Sequence, residues 1–294
     1  MRVRRTLAAA AVLPLVLVAA ACAPESDGGS TATDPADSGS ASGDACTTDT
    51  LALKTAGQLT VGTDSPAYEP WFVDNDPSNG KGFESAVAYA VAQQLGFSKD
   101  QVKWIKVPFN SSYKPGPKDF DFDINQISIN PKRAEAVDFS DGYYSAAQAV
   151  IALKGTKGAE ATSLADLKGL RLGAQTGTTS LTAIRDIIQP DTDPAVFEDT
   201  NAAKQALQND QVDAILADLP TAFYISAVEI PDSVLVGQFQ PETGEQEEFG
   251  MLFEKGSELV PCVNQALGAL KDDGTLAAIE KQWLSDVVDV PVLK

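Results

Sequence analysis

Arg133 follows Ser128 by five residues, close behind the amides Asn125 and Gln126, in a chain of 294 residues. A guanidinium, a hydroxyl and two amides in one short stretch are the groups that grip a carboxylate, the arginine in a two-pronged hydrogen bond. The same arginine also suits a surface ion pair with Glu135 or Asp138. Asp218 ends the run VDAILAD and is either an acceptor for a cation or a cap for the helix that follows. Thr178 and Thr179, in QTGTTS, lead into an apolar stretch at 181–188. Free backbone N–H groups and hydroxyls at such a point receive an anion, or the threonines simply cap the helix. Asp64, in VGTDSPAYEPW, follows a strand-like run, with Tyr68 and Trp71 close by. That is where open α/β sheets bind ligands, and it is also ordinary Asp-Ser-Pro turn chemistry.

Holding these groups takes strands and helices in alternation. Residues 58–62 (QLTVG) and 102–107 read as strands, and 120–129, rich in Ile and Phe, reads as one buried strand. Further short strands fall at 149–153, 171–174, 195–197, 212–216 and 233–237. Residues 82–96 carry Phe83, Val87, Val91 and Leu95 at i+4 spacing, the apolar face of a helix that Gly96 stops. Ser163 with Asp166 three residues on is a capping-box pattern that predicts a helix over SLADLK. Thr200 opens another helix. Leu259, Val263, Ala266, Leu267 and Leu270 line one face of a third, and Gly274-Thr275 begins a last helix through Trp283. The alternation predicts an α/β fold with largely parallel sheets. A globular part of about 250 residues exceeds one comfortable core, so two lobes are expected.

With 41 acidic against 22 basic side chains and no histidine, the net charge is −19. That balance argues against nucleic acid, which needs a basic face. Histidine general bases and histidine-ligated metals are excluded, and three cysteines cannot make a four-thiolate zinc site. No metal or other cofactor is expected. Arg2, Arg4 and Arg5 precede an apolar run of 15 residues at 7–21, too short to span a bilayer. Residues 1–21 therefore read as a signal peptide. The sequence VAAAC at 18–22 resembles a bacterial lipobox, with cleavage before Cys22 and lipid (palmitate) on that cysteine; several acyl chains together anchor firmly. Residues 23–45 hold five acidic side chains and no aliphatic residue larger than alanine. They predict a flexible tether over 22–46 that spans roughly 25–30 Å. Cys46 and Cys262 remain, and outside the cytoplasm such a pair usually bridges; two separate buried thiols is the other reading.

The order of the motifs is more specific than any one of them. VGTDSPAYEPW, GFE opening a helix, SINPKRAEAVDFSDGYY, SLADLKGLRLGAQTGTT, VDAILADLPTAFY and NQALGALKDDGTLAAIEKQW follow one another over residues 59–283. This run resembles the extracellular solute-binding proteins of polar amino-acid ABC importers, family 3. The resemblance implies a type II periplasmic-binding-protein-like fold, two α/β lobes joined by two hinge strands. Lobe 1 would be the discontinuous 47–146 and 239–294, and lobe 2 would be 147–238, with crossings near 145–148 and 236–240. Cys46 and Cys262 then share a lobe, which supports their bridge. The implied partners are a membrane permease and its ATPase. The implied place is the extracellular face of a Gram-positive type cell membrane, held by the lipid anchor, and the implied role needs no catalysis.

Carried over residue by residue, Arg133 resembles the family's carboxylate-binding arginine and Ser128 the hydroxyl that helps it. Thr179, with Thr178 beside it, matches the helix-start threonine of the other lobe. Asp218 matches the aspartate that takes the ligand's ammonium, and Asp64 the aspartate at the side-chain end. Tyr68 and Phe109 match the aromatic walls. The chain departs from the pattern in three places. SPAYEPW has one residue more than usual before its aromatic. Asn125-Gln126 replace small residues, so Gln126 either reaches the pocket or offers only its backbone carbonyl. Two prolines stand in NSSYKPGPKDFD, residues 110–121, where the family has a helix, so a loop is expected.

Asp64 and Glu69 make the side-chain end acidic, and no second arginine is placed to meet an acidic ligand. The expected ligand is an uncharged polar or cationic amino acid: glutamine, cystine, arginine or lysine. Lys81 or Lys114 folding inward would reverse this. Two other functions are compatible with the same pocket. One is an enzyme on this fold, prephenate or arogenate dehydratase-like, with Asp64 or Glu69 as its acid. The other is a ligand-binding surface sensor.

Overall fold

The computed structural model describes residues 46–240, 247–284 and 290–294. The signal peptide 1–21, the lipidation of Cys22 and the tether as far as residue 45 lie outside the described residues.

The first part of the chain builds β1 (Leu59–Thr63), α1 (Phe83–Gln94), β2 (Val102–Lys106), α2 (Phe109–Ser112), β3 (Phe122–Asp123), α3 (Pro131–Ala134), β4 (Val137–Phe139) and β5 (Tyr144–Ala146). Next come β6 (Gln148–Leu153), β7 (Leu172–Gln175), α4 (Thr179–Ala183), β8 (Ala195–Phe197), α5 (Thr200–Gln208), β9 (Ala214–Asp218), α6 (Leu219–Tyr224) and β10 (Ser233–Phe239). The chain ends with β11 (Glu247–Phe249), β12 (Leu252–Glu254), α7 (Val260–Asp272) and α8 (Thr275–Trp283). One sheet has the order β2-β1-β3-β12-β4 and the other β10-β6-β9-β7-β8, and a two-stranded ribbon of β5 and β11 stands apart from both.

All five residues of β1 are buried, as befits a strand flanked by parallel neighbours on both sides. Beside this sheet Phe83, Val87 and Val91 of α1 pack with Val263, Ala266 and Leu267 of α7. Cys46 is disulfide-bonded to Cys262 in α7, with 5.3 Å between their Cα atoms. The second sheet has its own cores, with Ile184, Leu172 and Leu216 in one and Ile151, Leu207 and Ile225 in another. In the ribbon, Tyr144 of β5 meets Trp71 and Phe83 edge-on and Phe249 at a tilt, at centroid distances of 5.5, 5.3 and 5.8 Å.

Four local expectations change. The sheets are mixed: β12 runs antiparallel to β3 and β4, and β6 antiparallel to β9 and β10. The single strand expected over 120–129 is a two-residue strand, because Gln126 takes a left-handed conformation (φ 47°) and breaks the ladder. SLADLK forms turns, not a helix, although the Ser163–Asp166 exchange of hydrogen bonds is present at 3.0 and 3.3 Å. The loop expected over 110–121 begins with the helical turn α2, whose first N–H is held by Asp64.

The end of the chain also differs from the reading that places 239–294 in one lobe. Leu284 packs in the core beside α1 and α7, whereas Leu293 packs in the second sheet's core. The main chain there joins the rim of the second sheet: Gln238 N donates to Pro291 O at 2.8 Å, and Leu293 N to Gln238 O at 2.9 Å.

Candidate functional site

Arg133 sits on a short turn that Asn130 caps by accepting from the Arg133 N–H at 2.8 Å, with Pro131 at the first helical position. Arg133 is buried there, at 8% exposure. Nη1 donates to the Ser128 carbonyl at 2.8 Å, and Nη2 reaches the other sheet's unit, donating to the Gly177 carbonyl at 2.9 Å. Phe109 and Tyr113 present their rings to it at 5.6 and 4.9 Å. No surface pair with Glu135 or Asp138 forms; Asp138 is taken by Lys255 at 2.8 Å. Burial lowers the Arg133 pKa from its usual value, against the opposing pull of Tyr113, Glu247 and Asp218.

Asp218 ends β9 at the head of α6, yet its side chain caps nothing. Oδ1 accepts from Gln148 Nε2 at 2.9 Å. Burial, and then the charge of Glu247, hold this carboxyl well above the usual carboxylate range. Thr178 is the helix cap, accepting from Leu181 N at 3.1 Å. That leaves Thr179 Oγ1 to face Ser128 Oγ and Gln148 Nε2, each at 3.4 Å.

At the other end Asp64 accepts from Ser65 N at 2.6 Å and Phe109 N at 3.0 Å, so it is held in place and is not a solvated turn residue. Phe109 is 9% exposed, and the Tyr68 ring lies 5.7 Å from Lys204 Nζ. Gln126 turns its amide down onto Glu84: both its N–H (2.6 Å) and its Nε2 donate to that carboxylate. Tyr143 Oη donates to the same group. Burial pushes Glu84, which is fully buried, up to about 7.

Asp64, Tyr68, Phe109, Gln126, Ser128, Arg133, Thr178, Thr179 and Asp218 all line one cavity of about 60 Å³ between the two sheets' units. Thr221, which also lines it, accepts from Trp71 Nε1 at 2.8 Å. The arrangement offers an anion a guanidinium and two hydroxyls, and offers a cation Asp218 and Asp64.

Sequence reasoning missed three contributors. Gln148, on the crossing strand β6, ties Asp218 to Glu247 through one Nε2, at 2.9 Å each. Glu247, the first residue of β11, accepts from Ser128 Oγ. Tyr113, within the stretch read as a loop, covers the Arg133 face. Glu247 and Gln148 carry no local signal, since their roles follow from the register of the β5–β11 ribbon and from β6. An aromatic beside a proline-rich departure was the signal for Tyr113.

The model of the bacterial extracellular solute-binding proteins, family 3, matches residues 59–286. The L-cystine-binding protein TcyJ of Escherichia coli (strain K12) is 30% identical over 79% of this chain and 84% of its own. The L-cystine-binding protein TcyA of Bacillus subtilis (strain 168) is 31% identical over 80% of this chain and 84% of its own. Among solved structures, an ancestral arginine-binding protein bound to glutamine is 32% identical, with a TM-score of 0.66, over 79% of this chain and all (100%) of that one. The motif order, the two sheets about a shared cavity and these likenesses agree: the chain is a solute-binding protein and belongs to family 3 of the bacterial extracellular solute-binding proteins.

Proposed function

We propose that this chain captures a polar amino acid with an uncharged or cationic side chain and delivers it to an ABC permease and ATPase, without catalysis. The observation that carries this reading is the meeting of buried Arg133 and half-buried Asp218 in one cavity, approached from opposite units. An amino-acid zwitterion has a carboxylate for the first and an ammonium for the second. Splitting the partners between two bodies lets the ligand favour closure through contacts it makes only in the closed form. Asp64, held at the far end with Tyr68 and Phe109, meets the side chain, and an acidic side chain there would face a like charge. The relatives named for cystine and arginine, and the ancestral structure bound to glutamine, fit this range. The lobes are 47–146 with 239–284, and 147–238 with 290–294. Cys22 carries the lipid that holds the domain at the outer face of the membrane.

Calorimetry with the twenty amino acids and cystine tests the ligand. Arg133→Ala is expected to weaken binding by about 2–5 kcal/mol, because it strips one partner from a buried charge pair. Tight binding of glutamate, with none of glutamine, cystine or the basic amino acids, contradicts the side-chain argument. Intact affinity in Arg133→Ala contradicts the site. For the anchor, Cys22→Ser should abolish fatty-acid labelling and release the protein to the medium.

A further inference from the structure

Glu247 brings a second carboxylate to the donors that the proposed site offers its ligand. Its backbone pairs with Ala146 in the β5–β11 ribbon. Its side chain reaches Ser128 Oγ, which donates to Oε1, and Gln148 Nε2, which donates to Oε2 at 2.9 Å. Gln148 is fully buried and fixed by Ser180 Oγ, which donates to its Oε1 at 2.6 Å. Glu247 thereby ties Ser128, which bridges to Phe249 beside the first sheet, to β6 of the second. It also stands within the electrostatic reach of Arg133 and Asp218.

A serine hydroxyl has one proton to donate. Here Ser128 gives it to Glu247. A ligand carboxylate arriving beside Arg133 must take that proton over, and otherwise meets a second carboxylate in a site shielded from water, where like charges repel strongly. The Glu247 side chain can rotate away without cost to the backbone ladder, since its tie to β5 is made by the main chain.

We propose that Glu247 is an internal competitor for the carboxylate-binding donors, and that the affinity of this protein for its ligand is set by the work of displacing it. This rests on the amino-acid-binding reading above. Glu247 is then an affinity-setting residue: while it holds Ser128, it bridges the two units as the ligand carboxylate would, and the ligand replaces that bridge with its own.

The test is calorimetry on the purified full-length protein with L-arginine, L-glutamine and L-cystine, comparing the wild type with Glu247→Gln and Glu247→Ala. Whichever of these binds the wild type should bind Glu247→Ala about tenfold or more tightly, with the isosteric Glu247→Gln between the two. Agmatine, which is arginine without its carboxylate, separates competition from a general loosening and should gain nothing from either variant. Unchanged or weaker amino-acid binding in both variants overturns the inference. So does an equal gain for arginine and agmatine. If no amino acid, these three included, binds the wild type or either variant, the amino-acid reading falls and this inference falls with it. If the wild type binds and loses binding in Arg133→Ala, the reading stands and the Glu247 result alone decides.

Discussion

Arg133 and Gly177 meet across the cavity: the guanidinium Nη2 donates to the glycine carbonyl at 2.9 Å, joining α3 to the turn that follows β7 in the other unit. Gly177 has φ +75°, a conformation that side chains rarely adopt, and a Cβ built there falls 2.2 Å from both Asn110 Oδ1 and Tyr113 Oη. Both atoms belong to the opposite unit. Gly177→Ala is therefore expected to oppose closure. The left-handed backbone alone costs about 1–2 kcal/mol, and the clash adds to it only when the units meet. Ligand affinity should fall about tenfold or more, while the free protein loses only the few degrees of thermal midpoint that the backbone cost accounts for. An affinity equal to the wild type would show that Asn110 and Tyr113 retreat freely.

Buried carboxyls give the fold a pH dependence of definite sign. Glu84 titrates at about 7 in the folded chain against 4.5 ordinarily, chiefly through burial. Between those values the folded form keeps a proton that the unfolded chain has released. Stability from this group therefore falls as pH rises from 4.5 to 7, then levels off, by at most about 3 kcal/mol. Asp123 and Asp218, both raised by burial, act in the same direction. Asp213 acts oppositely at low pH. Its carboxyl is held low by Arg171 and Lys157 despite its burial, so its contribution is lost as pH falls below about 4. Urea titrations at pH 5, 6, 7 and 8 should show stability declining, and Glu84→Gln should flatten much of that slope. A flat wild-type profile would mean that Glu84 finds water or a cation in solution.

The path from sequence to site was short where a residue's job is set by its neighbours in the chain. Arg133 stands out beside Ser128 and the amides 125–126, the family resemblance chooses it over a surface ion pair, and the turn that holds it is built locally by the Asn130 cap and Pro131. Thr178 and Thr179 follow from the end of β7 and the start of α4. Where the job depends on distant register, the chain gave no sign. Glu247 stands in the site only because β11 pairs with β5 so that Glu247 faces Ala146. The strand expected over 120–129 failed because Gln126 serves Glu84, 42 positions away, and no local propensity carries that information. SLADLK had the cap of a helix but too few residues to repay nucleation before Gly169.

The Cys46–Cys262 bridge closes 216 positions of chain. In the chain-entropy picture its loss costs at most about 5 kcal/mol, and real bridges return less. A double Cys46→Ser, Cys262→Ser variant should unfold at lower denaturant, with ligand affinity unchanged, because neither cysteine lines the cavity and the bridge joins the start of the fold to α7. Peptide mapping of the unreduced protein should recover the linked pair. Two thiols open to alkylation in the native protein would contradict it.

Leu293 ties residues 290–294 to the second sheet, and this contact can be tested by compensation. Its side chain is 3% exposed and sits directly over Gly237 of β10. A Cβ at Gly237 would lie 2.5 Å from Leu293 Cγ and 2.9 Å from the Pro291 carbonyl. Leu293→Ala should cost about 2–4 kcal/mol, from lost burial and the cavity left behind. Gly237→Ala should also destabilise, by pushing the terminal segment off the sheet. Combined, the new methyl enters space that the leucine has vacated, so the double variant should be more stable than the sum of the single losses predicts. The contact with Pro291 O stays, so the rescue is partial. A coupling of about 1 kcal/mol, read from denaturant midpoints in a double-mutant cycle, is the expected size for residues in contact. Strict additivity would mean that residues 290–294 leave β10 in solution, and with them the third passage of the chain between the two units.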